Sequence, residues 1–347
     1  MGFELRCRLP IFGAPMAGGP STAALAAAVG EAGGLGFLAA GSTTPEALDT
    51  ALDEVERRTS QPYGVNVFLP STPSADAAGL QAYRRAIAPF AERLGVEVGQ
   101  PGWNDDYLET KIDLIARRHP AIVSFTFGLP GRELSERVRR ATGASIAVTV
   151  TSVPDAVSAV TDGADLLVVQ GIEAGGHRSL FTDNAADPYG GAASSLATLL
   201  TDVRAAVDVP LIGAGGVMDG AAVMSVLRLG AVAAQLGTAF LCCPEAGTPD
   251  FHRRALLSRT YSETIVTRAF SGRPARGLLN EFARANTVIA PAAYPEVLYL
   301  TKAMKAAAAA AGDADVPNLW AGTGWRAVTE DAAGDIVARL EREMASV

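Results

Sequence analysis

Leu166-Leu167-Val168-Val169-Gln170-Gly171-Ile172-Glu173-Ala174-Gly175-Gly176-His177-Arg178 is the stretch whose reading decides the fold. It begins with four consecutive apolar residues that leave no polar face. A strand covered on both sides requires such a run. The chain then turns polar and glycine-rich, with one histidine and one arginine. In a barrel of alternating strands and helices, chemistry sits at the C-terminal mouth of the strands. The pattern therefore predicts an imidazole at an active-site rim. A capped loop with a structural histidine is the alternative on these residues alone.

The same unit recurs on either side. Strand-like runs are expected at 11–16, 35–40, 63–69, 122–127, 145–150, 166–170, 210–214 and 232–240. Helical patterns at 21–31 and 45–58 separate the first of them, with Ser21 or Thr22 placed to cap the first helix. Eight alternating units favour a closed (β/α)8 TIM barrel over an open sheet. Two intervals are too long for simple crossovers. One runs over 70–120 and carries helical patterns near 76–94 and 105–118. The other follows Leu241 and carries them near 295–311 and 328–345. Residues 1–70 and 120–247 are thus read as the barrel, closed by a C-terminal helix at 327–347. Residues 71–119 and 248–326 are read as a second, mostly helical layer over the barrel mouth.

Composition narrows the function classes. The chain has 347 residues, 49% hydrophobic content and 36 glycines, which suits a large core with many tight turns. A net charge of −8 argues against nucleic acid or an anionic membrane as partner. The 3 cysteines, Cys7, Cys242 and Cys243, have neither disulfide parity nor metal spacing. The expectation is a cytoplasmic protein, monomer or homodimer, with no metal, acting on a small molecule.

Several motifs carry chemistry. Gly213-Ala214-Gly215-Gly216 and Gln235-Leu236-Gly237-Thr238 fall at the ends of the seventh and eighth expected strands, where barrels commonly bind phosphate. Gly34-Leu35-Gly36-Phe37-Leu38-Ala39 matches a dinucleotide fingerprint, but it follows a helix and opens a strand, the reverse of the required order. It is read as a helix stop and a tight turn. Ala14-Pro15-Met16-Ala17-Gly18-Gly19 brings backbone and a soft side chain to the first strand's mouth, as a flat ring system needs. Asn66 and Gln170 are amides inside apolar strands, and buried amides need partners. Of 3 histidines, His119 precedes a strand and His252 falls in a charged helix beyond the eighth. His177 alone is expected at a strand's C-terminal side.

Taken together and in order, these motifs resemble the nitronate monooxygenases, formerly called 2-nitropropane dioxygenases, of the FMN-dependent barrel type. The resemblance covers nearly the whole chain. Tyr63-Gly64-Val65-Asn66-Val67-Phe68, the histidine loop and Asn318-Leu319-Trp320-Ala321-Gly322-Thr323-Gly324 add to it. It implies non-covalent FMN held by Asn66, Gln170, Gly175, Gly216, Gln235, Leu236, Gly237 and Thr238, with Pro15 and Met16 lining the ring system. It implies His177 as the catalytic residue facing the substrate. Tyr107, Thr126, Tyr294, Tyr299 and Lys302 are expected to line the substrate pocket, although some relatives carry His where Thr126 stands. The implied activity is oxidation of alkyl nitronates, and of nitroalkanes as a further substrate, by O₂ to carbonyl compounds and nitrite. A related FMN-dependent NAD(P)H:quinone or enoyl-thioester reductase shares the same motifs. A phosphate-binding barrel without flavin, an isomerase or a binding protein, is the reading from a different class.

Overall fold

Alternation along each strand sorts the core into an inside and an outside. The structure, a computed structural model, describes residues 5–191 and 193–347. The first four residues of the expected barrel segment and Ala192 lie outside the described residues. In β6 (Leu166–Gln170), Leu166 and Val168 join Phe12, Phe37, Ile122 and Ile212 in one buried cluster drawn from several strands. Leu167 and Val169 pack instead with Leu199 and Leu200 of a covering helix. A strand that is apolar on both faces is the direct result.

The strands β1 (Ile11–Gly13), β2 (Gly36–Ala39), β3 (Tyr63–Phe68), β4 (Ile122–Thr126), β5 (Ser145–Val150) and β6 pair in parallel, and the ladder continues beyond β6. A two-residue strand, β7 (Gly176–His177), comes next in the chain and stands outside it. The remaining barrel strands are β8 (Leu211–Ala214) and β9 (Ala233–Leu236), in the spatial order β1-β9-β8-β6-β5-β4-β3-β2. A parallel bridge between Phe12 and Leu35 joins the two ends. There the Leu35 N–H donates to the Ile11 carbonyl at 3.0 Å. The eight parallel strands form the expected TIM barrel. The last strand stops at Leu236 rather than running to 240, because Gly237 leaves the extended region and Thr238–Phe240 forms a 3₁₀ turn.

The helices α1 (Ala23–Glu31), α2 (Pro45–Arg58), α3 (Ala77–Arg93), α4 (Leu108–Ile115), α5 (Arg132–Thr142), α6 (Val153–Thr161), α7 (Leu196–Ala206) and α8 (Gly220–Arg228) accompany the barrel strands. Thr22, Thr44, Ser152, Ser195 and Asp219 cap α1, α2, α6, α7 and α8 by accepting a backbone N–H three residues on. Each such cap stabilises its helix by about 1 kcal/mol. Beyond the barrel come α9 (Asp250–Ser258), α10 (Glu281–Asn286) and α11 (Glu296–Ala310), and then α12 (Ala333–Ala345), which packs on α1 and α8. The covering layer is not helical alone. Strands β10 (Thr264–Thr267) and β11 (Ala275–Leu278) pair antiparallel, and β11 pairs with β7. His177 is therefore stitched to the cover, opposite Ala275.

Candidate active site

The inward-facing positions turn polar at the barrel mouth. Asn66 on β3, Ser124 and Thr126 on β4, Gln170 on β6 and Gln235 on β9 all follow this phase, two or four residues beyond apolar positions that fill the barrel. Above them lies a cavity of about 780 Å³. Every residue singled out from the sequence for catalysis, cofactor or substrate borders it: Pro15, Met16, Asn66, Tyr107, Thr126, Gln170, Gly175, His177, Gly216, Gln235, Leu236, Gly237, Thr238, Tyr294, Tyr299 and Lys302.

One end of the floor is built from backbone. Gly216 has φ +71, in the left-handed region, and a Cβ there would stand 3.0 Å from the Cβ of Glu173. Gly175 is closed in further: an added Cβ would come within 2.5 Å of the Gly322 nitrogen and 2.6 Å of the Ala321 carbonyl carbon. The 175 and 321–322 segments thus meet as bare main chain, while Gly216 lies against the Glu173 and Thr323 side chains. Thr238 Oγ1 fixes the junction by accepting the Gly322 N–H at 2.9 Å. Beside it, the buried Gln235 Nε2 has no partner among the described residues. An unpaired buried amide costs about 1–3 kcal/mol. A group that accepts its hydrogen bond removes that cost.

The other amides are committed to the protein. Asn66 Nδ2 donates to Ser124 Oγ and Thr126 Oγ1, each at 2.9 Å. Thr126 thus serves as an acceptor for Asn66. Gln170 Nε2 donates to the His177 carbonyl, and Gln170 Oε1 accepts the Ser179 N–H, both at 2.9 Å. Gln170 holds the histidine loop from below while β11 holds it from the side.

His177 points across the cavity. Its Nε2 lies 2.9 Å from Ser271 Oγ. Phe127 and Tyr294 meet the ring edge-on, each at 5.7 Å, and Trp320 lies at 5.5 Å. Such aromatic contacts are worth about 0.5–1.5 kcal/mol each and fix ring orientation. Burial pushes the imidazole pKa down to about 3, aided by the charges of Arg273 and Lys305. The side chain is neutral at neutral pH and is a weak base. It serves as a hydrogen-bonding group. Arg178, its neighbour in sequence, is buried outside the cavity lining and donates its N–H to the Pro274 carbonyl.

The roof comes from distant segments. Asp106 and Tyr107 both adopt the left-handed conformation, φ 56 each. Asp106 accepts the Ser42 N–H and pairs with the fully buried Lys111 at 2.8 Å. Tyr107 is exposed at the rim. Asn104 donates to the Tyr299 hydroxyl, and Trp103 Nε1 to the Ser71 carbonyl at 2.7 Å. Arg273 stacks 4.0 Å over Phe127 and donates to Ser71 Oγ and the Leu180 carbonyl.

Sequence reasoning missed several of these groups. Ser271, Trp320, Lys305 and His252 border the cavity. His252 lies, as the sequence predicts, in a charged helix beyond the eighth barrel strand. It is buried in α9, with its Nε2 unpartnered among the described residues and its pKa pushed down to about 4 by burial. The signal for it was local: His252, Ala255 and Leu256 stand at i, i+3 and i+4, which share one face of a helix. Among the described residues, no group of three or more His, Cys, Asp or Glu side chains is placed to hold a metal ion. No described helix is long and apolar enough to cross a membrane.

Fold and site define a (β/α)8-barrel enzyme working at the C-terminal mouth of its strands. The chain belongs to the nitronate monooxygenase family, whose model matches residues 4–343. It is an oxidoreductase of that family. A nitronate monooxygenase of Paraburkholderia phytofirmans is 38% identical over 96% of this chain and 92% of its own length. One of Pseudomonas aeruginosa is 37% identical, covering 96% of each. Among solved structures, nitroalkane oxidase from Streptomyces ansochromogenes is 45% identical with a TM-score of 0.94, covering 98% of this chain and 97% of that one.

Proposed function

We propose that this enzyme oxidises alkyl nitronates with O₂ to carbonyl compounds and nitrite, using FMN bound without a covalent link. The observation that carries the reading is the close main-chain approach at Gly175 and Gly322, the left-handed Gly216 and the unpaired Gln235 amide, all lining one cavity. A phosphate monoester and a heterocycle edge fit such a site: close-approaching N–H groups for the one, an amide donor for the other. Bound FMN would supply the redox chemistry between nitronate and O₂ that no side chain of this cavity can.

The chain's own residues bind, orient and exclude water. Backbone at 215–216 and 237–238 would hold the phosphate. Pro15 and Met16 would line the ring system, and Asn66, locked by Ser124 and Thr126, keeps its amide oxygen free to bind it. Gln170 and Ser271 fix His177 at two points, so that its ring meets the nitro oxygens of a substrate lying over the floor. Tyr294 and Trp320 exclude water on both sides of that ring. With its pKa held near 3, His177 donates or accepts a hydrogen bond but does not strip an α-proton effectively. The preferred substrate is therefore the preformed nitronate anion, which Lys302 and Lys305 attract, rather than the neutral nitroalkane.

The test is a paired assay of purified enzyme reconstituted with FMN. Oxygen uptake and nitrite release are followed with a preformed alkyl nitronate, with the neutral nitroalkane and with NADH. The nitronate supports both signals, with a kcat/KM well above that of the nitroalkane. Oxidation of NADH without nitronate turnover overturns the reading.

A further inference from the structure

Among its 29 basic residues this chain has only three lysines, Lys111, Lys302 and Lys305. Lys111 is fully buried and paired with Asp106. The other two stand three residues apart on α11, and both border the cavity. Among the described residues, neither forms an ion pair with a carboxylate within 4 Å. A protein with an excess of 37 acidic over 29 basic residues leaves two amines unpaired in one wall of its active site.

Lys305 is the more enclosed of the two. Its Nζ donates to the Phe270 carbonyl at 3.3 Å, and the next residue, Ser271, is the partner of His177 Nε2. The amine is near enough for its charge to bear on the imidazole. Ala306, Ala309, Pro249 and Phe251 give this part of the cavity an apolar lining. Burial, and then the like charge of Lys302, push the Lys305 pKa down to about 7. A desolvated lysine beside another cation is a nucleophile near neutral pH.

We propose that Lys305 is a carbonyl-capture site, whose ε-amine condenses with a small aldehyde or ketone in the cavity to form a Schiff base. The amine lone pair attacks the carbonyl carbon, a C–N bond forms, and an amine proton moves to the oxygen. That oxygen then leaves as water as the C=N bond closes and nitrogen gives up its remaining proton. Nothing is oxidised or reduced, and hydrolysis reverses the step. The inference rests on the proposed function only for the source of the carbonyl compound, which nitronate oxidation would release into the cavity that Lys305 lines. Reversible capture would delay product release and place the imine in the space the next substrate needs.

The experiment has two arms. In the first, holoenzyme is incubated at neutral pH with propanal and sodium cyanoborohydride, and the alkylated lysine is located by peptide mass spectrometry. Each unit by which a pKa is lowered gives about tenfold more free amine below that pKa, so Lys305 is expected to be alkylated at least about tenfold faster than Lys302. In Lys305→Arg, which keeps the charge but cannot form an imine, this label disappears. Equal labelling of all three lysines, faster labelling of Lys302 or an absence of adduct overturns the proposal. In the second arm, enzyme turning over propyl-1-nitronate is trapped with the same reductant. Labelling in the first arm without labelling in the second keeps the capture site and counts against carbonyl release from nitronate. A failed first arm with normal nitrite release removes the capture site and leaves the oxidation reading standing.

Discussion

The floor and the roof of the cavity are made of different materials. The floor, at the ends of β8 and β9, is main chain brought together at glycines, where an added Cβ at Gly175 or Gly216 meets backbone or the Glu173 side chain at 2.5–3.0 Å. The roof is side chains from segments far apart in sequence: His177 and Ser271, Arg273 over Phe127, Asn104 against Tyr299. Backbone offers N–H groups and close approach but little discrimination between substrates. Side chains supply charge, shape and orientation. The difference implies that cofactor retention resides in the floor and rate and selectivity in the roof.

Substitutions should separate the two. The largest effect is expected at His177. Removing one preorganised hydrogen-bonding group typically costs about 10²–10³-fold in rate, so His177→Asn should lose that much nitronate kcat/KM while keeping full FMN occupancy. Loss of flavin in this variant would blur the division. The floor should respond in the opposite way. Gly216→Ala is strained by roughly 1–2 kcal/mol in the left-handed region; the free protein relieves that strain by shifting the backbone that would face the phosphate, and restoring it on binding costs about tenfold in FMN affinity. Gly216→Asp adds repulsion of the phosphate and should lose more. Fluorimetric FMN titration measures both, and saturating FMN should restore most of the rate in the Ala variant. A smaller effect is expected at Ser271. One hydrogen bond is worth about 1 kcal/mol, so Ser271→Ala should lower kcat/KM by about tenfold or less without moving the FMN affinity.

The smallest effect is on stability against pH. His177 and His252 have folded pKa values of about 3 and about 4, below the ordinary 6.5. Below about pH 6.5 the unfolded chain binds protons that the folded chain refuses. The stability these neutral rings contribute is therefore complete above that pH and declines as pH falls toward 4 and 3. The Tm should drop from pH 7 to pH 5, and His252→Gln should make the drop shallower. A Tm that rises over this window would contradict the burial of neutral imidazoles.

The same contrast explains what was legible in the sequence. Floors written in glycine show in the chain as Gly213-Ala214-Gly215-Gly216 and Gln235-Leu236-Gly237-Thr238, because close backbone approach demands that residue type at fixed distances from a strand end. The barrel itself was legible from apolar runs and from a capping residue such as Thr22. The three-stranded sheet of the cover was not. Its member β7 is two residues long, Gly176–His177, and has no periodicity to read. His252 does lie in a charged helix beyond the last barrel strand, but its place at the cavity was not legible because Arg253 and Arg254 mask a buried face of His252, Ala255 and Leu256. Lys305 was passed over for Lys302, one turn earlier on the same helix, since only the packing of α11 distinguishes an enclosed amine from an exposed one.

The most direct test of the account is one anaerobic titration of the purified holoenzyme followed by visible absorption. The account predicts a yellow protein whose cofactor, released by heat, is FMN. Its flavin absorbance should bleach on addition of an alkyl nitronate, persist on addition of NADH alone, and return when air is admitted. A protein that stays colourless after incubation with FMN, or whose flavin is bleached by NADH and not by nitronate, would contradict it.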